Sequence, residues 1–473
     1  MNGRASSRFA NLPQALIVGG GISGLSAAYY LTKLGVRPTL IDRGPKLGGV
    51  IRTEVVDGCV IEGGPDSFLA AKPWAMDLIR ELGLEGEVIG SNDHLRVTYI
   101  WKRGRMVPMP DGLMMMVPTR IWPMVTTSLL SWPTKFRMAL EWFRRPASGD
   151  VQDRSVADFI RDHYGQETVD YLAEPLLSGV FGGDPAKLSV ASVLTRFVEL
   201  EARYGSLTRG VLVEGGLTKG KLGGGSLFRT MKGGLGQLVT ALERSISSRT
   251  EFLQGEAGPV QRSEGGYSLM LNGEPMQTRH LILACPAHEA AKMLTTVDAE
   301  LSALLGGIGY SSSMTVALGY ARHKIAHNLN GFGFLVPKKE RRRLVACTWV
   351  GTKFAHRVPD SHALLRCFLG GASGEAVLQE PDEAIVASVR QELRQMMGID
   401  AEPDFVRISR WPQSMAQYEV GHSERVRKIE ERLKLLRGLY LIGNAYHGIG
   451  LPDCIRLGKQ AAESAAGLPL RIE

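Results

Sequence analysis

Apolar positions along this chain come in short runs separated by glycine. Ala15-Leu-Ile-Val18 is a strand-sized run. It leads into Gly19-Gly20-Gly21-Ile22-Ser23-Gly24 and then into a helix-like stretch from Leu25 to Leu34, which Gly35 stops. Thr39-Leu40-Ile41 predicts a second strand and ends on Asp42. The far end repeats this order: a strand over Leu439–Ile442, a turn from Gly443-Asn444 through Gly450-Leu451-Pro452-Asp453-Cys454, and a helix over Ile455–Ala466. Between the ends the period changes. Over 86–205 helical spacing dominates, with Phe159, Ile160, Tyr171, Leu172, Leu176 and Leu177 in step. Strands alternate from Glu251 to Ala284, and 287–420 mixes helices with strands such as Ser313–Leu318 and Ala363–Leu369. The stretch Glu424–Arg437 reads as a charged, solvated helix.

The order strand, glycine turn, helix, strand, acid has a chemistry. Gly19 permits the tight turn, Gly21 lets a pyrophosphate approach the backbone, and Gly24 lets the helix pack on the strand. The helix N-terminus offers unpaired N–H groups and a positive dipole end to the phosphates. Asp42 is placed to accept from ribose hydroxyls. The matching turn near residue 443 returns to the same ligand, so the dinucleotide domain is discontinuous, with other domains inserted. Two further glycine pairs, Gly48-Gly49 and Gly63-Gly64, suit backbone laid along a longer cofactor; the bland alternative is two hairpin turns. Gly215 to Lys221 nearly matches a phosphate loop, but Leu222 stands where Ser or Thr is required, and that reading is rejected.

Composition narrows the class. Of 473 residues, 44% are hydrophobic and 22% charged, which excludes long-range disorder and a collagenous chain. Five scattered cysteines form no CxxC pair, so neither a disulfide framework nor a metal site is expected, and a reducing cytoplasm is. The net charge of +8 is concentrated: between His94 and Arg145 nine basic residues face only Asp111 and Glu141, leaving +7. No nucleic-acid motif accompanies this patch. An anionic membrane surface and an anionic small substrate both stay open as its partner.

These motifs together resemble the flavin-dependent amine oxidase superfamily. Within it they are similar to the oxygen-dependent protoporphyrinogen/coproporphyrinogen oxidases of haem synthesis. The resemblance is carried by Gly19–Gly24, Leu47-Gly-Gly49, Glu62–Ser67, Glu174–Asp184, Gly331–Pro337, Trp411, Gly421-His422 and Gly443 to Ile455. It implies an α/β fold with a discontinuous Rossmann-like FAD-binding domain in three parts (1–85, 206–285 and 425–473), a helical lobe at 86–205 and an inserted mixed α+β substrate domain at 286–424. It also implies noncovalent FAD, a porphyrinogen substrate, molecular oxygen as acceptor, peroxide as product, a cytoplasmic or inner-membrane-surface location, and a monomer or homodimer. The alternatives are another enzyme of the superfamily, such as an amine oxidase or carotenoid desaturase, or a non-enzymatic, protein-binding member of the fold.

Carried over by position, Gly19, Gly21, Ile22, Ser23 and Gly24 belong to the pyrophosphate turn, and Asp42 and Arg43 to the adenosine side. Gly48, Gly49, Val50, Ile51 and Arg52, then Gly64, Pro65, Asp66 and Ser67, lie along the cofactor. Gly258 stands where the family has an adenine-contacting backbone. Trp411, Gly443, Asn444, Gly450, Leu451 and Pro452 flank the isoalloxazine. Val180, Leu335 and Phe368 line the substrate cavity, and the Gly179 backbone positions the pyrrole N–H groups. Thr98 stands where plant and animal members have arginine, so the propionate partner is open among Arg96, Lys72 and Lys102.

Overall fold

The computed structural model describes residues 14–146, 152–214, 226–340, 342–371 and 374–468. The phosphate-loop-like stretch beginning at Gly215 lies outside them. Five strands form a wholly parallel sheet in the order Glu251–Gln254, Pro38–Asp42, Ala15–Val18, His280–Leu283, Leu439–Leu441. Leu16, Ile17, Leu40, Ile41, Leu281, Ile282 and Leu283 are all fully buried. Continuous rather than alternating apolar runs are what a parallel sheet covered on both faces requires. The helices Ile22–Lys33 and Leu451–Ala465 pack tightly across one another: a Cβ on Gly458 would lie 2.6 Å from the Ser23 carbonyl oxygen. The second of these helices starts at Leu451, four residues earlier than its periodicity suggests, because Pro452 fits the first turn, where no N–H is needed.

A second sheet has seven strands in the order Phe405–Ala416, Tyr310–Ala321, His362–Gly370, Ala346–Trp349, Gly333–Leu335, Thr98–Lys102, Arg105–Pro108. It is antiparallel except where Gly333–Leu335 runs parallel to Thr98–Lys102, with Gly333 opposite Thr98. Helices do dominate 86–205, as expected, but its α-helices begin only at Ile121, and the segment before them supplies two strands of this sheet. Thr98–Pro108 is a hairpin closed by Arg103 and Gly104, both with positive φ (50° and 78°), the turn whose twist matches paired strands.

The helical lobe contains Ile121–Thr126, Trp132–Leu140, Val156–Tyr164, Glu174–Phe181, Thr195–Tyr204 and Leu207–Val213. Leu129, Phe159, Ile160, Leu172 and Leu177 are fully buried in its core. Its packing is pinned by His163, whose two ring nitrogens face Glu141 at 2.9 Å and Glu201 at 3.0 Å. One helix is inverted. Trp132, Phe136, Leu140 and Phe143 are 70, 67, 53 and 74% exposed, while Met138 is buried. No described helix is long and apolar enough to cross a membrane.

Candidate active site

A cavity of about 2440 Å3 opens at the C-terminal ends of the parallel strands and extends under the seven-stranded sheet. Val18, Gly19, Ile41 and Asp42 line one end, and Thr98, Leu335 and Phe368 the other. Open α/β sheets place their ligands at these strand ends. One small ligand occupies about 300–1,000 Å3, so there is room for a cofactor and a substrate together.

At the first end, the Asp42 carboxylate accepts from the Gly20 amide at 2.6 Å and the Gly44 amide at 2.7 Å, which fixes it at the strand terminus. A Cβ on Gly21 would meet nothing within 4 Å, and the same holds at Gly443: both glycines border free space. Gly24 is different. Its Cβ would lie 1.9 Å from the Gly19 carbonyl oxygen, so it serves helix–turn packing and does not reach the cavity. Ile51 is also withdrawn, because it is 4% exposed in the core beneath the sheet. The remaining cofactor positions read from the sequence all line the cavity: Ile22, Ser23, Arg43, Gly48–Val50, Arg52, Gly64–Ser67, Gly258, Trp411, Asn444 and Gly450–Pro452.

The middle of the cavity is stiffened by side chains that hold backbone. Trp411 Nε1 donates to the Gly63 carbonyl at 2.7 Å, and the Thr315 hydroxyl donates to the same oxygen at 2.8 Å. Arg366 donates to the Gly64 carbonyl, and Lys353 donates to Asp66 at 2.8 Å. Burial alone would raise the Asp66 pKa, but the Lys353 and Arg366 charges hold it well below the usual carboxylate range. Arg366 is itself 4% exposed and lies over the Phe368 ring; burial lowers its pKa, opposed by Asp66 and Glu62. Thr315, Lys353 and Arg366 were missed by motif reading. Arg366 was findable, since it shares a strand face with Phe368 two residues on.

Lys72 lines the cavity, with both its ion-pair contacts to Asp453, at 2.6 and 2.8 Å. Lys102 is removed from the propionate candidates. It does not line the cavity: further along the strand than Thr98, it turns into the helical lobe, where it donates to the Leu129 carbonyl at 2.6 Å and Glu167 at 3.0 Å. Arg96 and Thr98 line the substrate end, with Gly179, Leu335 and Phe368. The side chain of Val180 lies outside those described. Gly179 sits in the last turn of its helix, where carbonyl groups lack an intrahelical N–H partner. Three cysteines, Cys285, Cys347 and Cys454, line the cavity, and burial pushes the Cys454 thiol up to about 11 and Cys285 up to about 12. Thiols held neutral are poor nucleophiles. Among the described residues, no cluster of His, Cys, Asp or Glu is arranged to hold a metal.

A parallel sheet with a pyrophosphate turn, completed from the far end of the chain and closed over by a mixed sheet, defines a dinucleotide-dependent oxidoreductase. The chain belongs to the flavin containing amine oxidoreductase family, whose model matches residues 22–466. The pyrophosphate turn makes the flavin the dinucleotide, FAD. Coproporphyrinogen III oxidase of Bacillus subtilis (strain 168) is 36% identical over 466 residues, which are 95% of this chain and 97% of that one. Protoporphyrinogen oxidase 2 of Arabidopsis thaliana is 26% identical, covering 94% and 92%. A crystal structure from Exiguobacterium sp. 255-15 superposes with a TM-score of 0.85 at 32% identity, covering 96% and 98% of the two chains.

Proposed function

We propose that this protein oxidises a porphyrinogen to the porphyrin in haem synthesis, with coproporphyrinogen III as its preferred substrate. The observation that carries the reading is the cavity: an apolar chamber of Leu335, Phe368 and Met-rich wall joined to the flavin segments. The preference for four propionates over two is favoured by similarity, since relatives named coproporphyrinogen III oxidase are 30–36% identical and those named protoporphyrinogen oxidase 25–26%.

Bound FAD supplies two-electron oxidation at carbon, chemistry that belongs to the cofactor. The chain's part is to hold and orient. Leu335 and Phe368 flank the macrocycle. The Gly179 carbonyl, at the negative end of its helix, accepts pyrrole N–H groups. Trp411 and Arg366, through Gly63 and Gly64, keep the cofactor wall rigid. Three rounds consume three oxygen molecules and release three peroxides. No side-chain base is assigned: His422 is stacked on Tyr418 at 4.0 Å between ring centroids, and His447 faces Glu430. The test is turnover of both porphyrinogens with porphyrin fluorescence and peroxide read together. The expected result is about three peroxides per porphyrin and the higher kcat/KM for coproporphyrinogen III; no porphyrin from either would overturn the reading.

The exposed stripe Trp132, Phe136, Leu140 and Phe143 favours a second property, docking on an anionic membrane surface. Its i, i+4, i+8, i+11 spacing puts apolar side chains on one outward face, with Ile121 and Trp122 exposed nearby in sequence and Arg145 exposed beyond it. Cations near such a surface contribute about 1 kcal/mol each. Flotation with phosphatidylserine vesicles at low salt is expected, weakened by salt and by Phe136→Ser; protein left with the soluble fraction at low salt would overturn it.

A further inference from the structure

We infer that Cys347 and Cys367 form a peroxide-responsive thiol pair, which closes to a disulfide as hydrogen peroxide accumulates and slows turnover; the source of that peroxide rests on the porphyrinogen reading above. The five cysteines are scattered along the chain, and all are free thiols. The seven-stranded sheet brings these two together. Ala346–Trp349 and His362–Gly370 run antiparallel, with Cys347 directly opposite Cys367. Residues so opposed have Cα atoms about 4.5 or 5.5 Å apart. A disulfide spans Cα separations of about 4.4–6.8 Å, so either case lies within its reach. Opposed Cβ atoms are about 4.5–5.5 Å apart and bridged ones about 3.8 Å, so closure draws this rung together by roughly 1 Å.

The two thiols are already in contact. The hydrogen bond from Cys367 to Cys347, together with burial, holds the Cys367 pKa well above the ordinary thiol range. Cys367 thus keeps its proton, and Cys347 is the sulfur that reacts first. The Cys347 thiolate attacks one peroxide oxygen and the O–O bond breaks. Hydroxide leaves and takes up the proton that Cys347 gave up, and Cys347 becomes a sulfenic acid. The Cys367 sulfur then attacks the Cys347 sulfur, the S–O bond breaks, and the Cys367 proton leaves with the hydroxyl as water. Two thiols give up two electrons, and one peroxide becomes two waters. In a reducing compartment thiol exchange reopens the bridge, so the change is reversible.

Position couples the pair to the site. The neighbouring rungs are Ala346 opposite Phe368 and Thr348 opposite Arg366. All four residues line the cavity, as does Cys347. Alternation puts the two sulfurs on the sheet's other face, in the core shared with Ile385, Val389 and Leu393 of the helix Asp382–Met397. Peroxide formed in the cavity therefore starts one strand's thickness from the pair. Closure moves the rungs that carry Phe368, against the macrocycle, and Arg366, which holds the Gly64 carbonyl. A misplacement of about 1 Å at an active site costs up to about a hundredfold in rate.

The test uses the FAD-loaded enzyme in two arms: resting with added hydrogen peroxide, and turning over coproporphyrinogen III in air with and without catalase. Free thiols are then blocked and the peptides mapped without reduction. Both arms should link Cys347 to Cys367 and remove two of the five thiols, with catalase slowing linkage during turnover. As linkage proceeds, kcat/KM should fall about tenfold or more and return with dithiothreitol. Cys367→Ala should stop at a sulfenic acid on Cys347, trapped by dimedone. Cys347→Ala should leave Cys367 a thiol and lose less activity to the same peroxide than wild type does. In an active wild type, absence of the linked peptides from either arm, or linkage that leaves kcat/KM unchanged, would overturn the inference. A wild type that turns over neither porphyrinogen while added peroxide still links the pair would instead overturn the functional reading on which its peroxide source rests.

Discussion

At the scale of single residues, the least legible parts of the site are buried charges. Arg366 is a guanidinium almost without solvent, held by the Gly64 carbonyl and the Asp66 charge. No motif marks it, because its role depends on strands and loops far apart in sequence. Arg366→Leu should cost about 3–5 kcal/mol, the usual loss when one partner of a buried charged group is removed. Adding Asp66→Asn should recover part of that loss; urea denaturation of the single and double variants reads both. His422 allows a pH prediction. Burial lowers its pKa to about 4, with the ring stacked on Tyr418. The folded value is depressed, so the unfolded chain binds the proton more readily below the ordinary value near 6.5. Its contribution is therefore complete above about pH 6.5 and is lost as pH falls toward 4, in total about 3 kcal/mol. The stability difference between wild type and His422→Phe should change by about that amount across this window. A constant difference would show that the ring does not titrate there.

At the scale of elements, the sequence was most legible where a period and a terminus signal agreed. The first strand, turn, helix and Asp42 stand where the glycine spacing put them, since each is local. The hairpin at Thr98–Pro108 was passed over because a basic, Met-rich neighbourhood masked its alternation, although Arg103-Gly104 was a turn signal. The outward apolar stripe at 132–143 was hidden for another reason: Pro123 and Pro133 interrupt the period, and sequence alone does not say which face a helix buries. The helix Glu174–Phe181 offers a sharper test of its proposed use. A Cβ at Gly179 would meet Leu335 at 3.6 Å, ordinary contact, and an alanine keeps the carbonyl. Gly179→Ala should therefore fold and stay active, with helix stability improved by up to about 1 kcal/mol. Gly179→Leu projects into the chamber and should lower kcat/KM about a hundredfold with FAD still bound. Loss of activity in the alanine variant alone would point away from the carbonyl.

At the scale of the molecule, one cavity is the common neighbour of segments that are distant in the chain. Parts of 19–67 and 443–452, with Gly258 and Trp411, line one cavity, and the strands behind them come from three separate stretches. A ligand that binds only the folded state stabilises it by mass action, about 4 kcal/mol at a free concentration a thousand times Kd. Flavin binding should thus raise the melting temperature by several degrees, and by more as free FAD is added. The attachment should be noncovalent. Of the three cysteines that line the cavity, Cys285 and Cys454 adjoin the cofactor segments; burial raises their thiols to about 12 and 11, and both are mostly neutral at physiological pH. Acid precipitation should leave all the yellow colour in the supernatant. Apoprotein prepared without acid should melt lower and regain both its melting temperature and its visible spectrum when FAD is returned. Colour retained in the pellet would establish a covalent link. A melting temperature indifferent to FAD would show that the separate segments hold together without it.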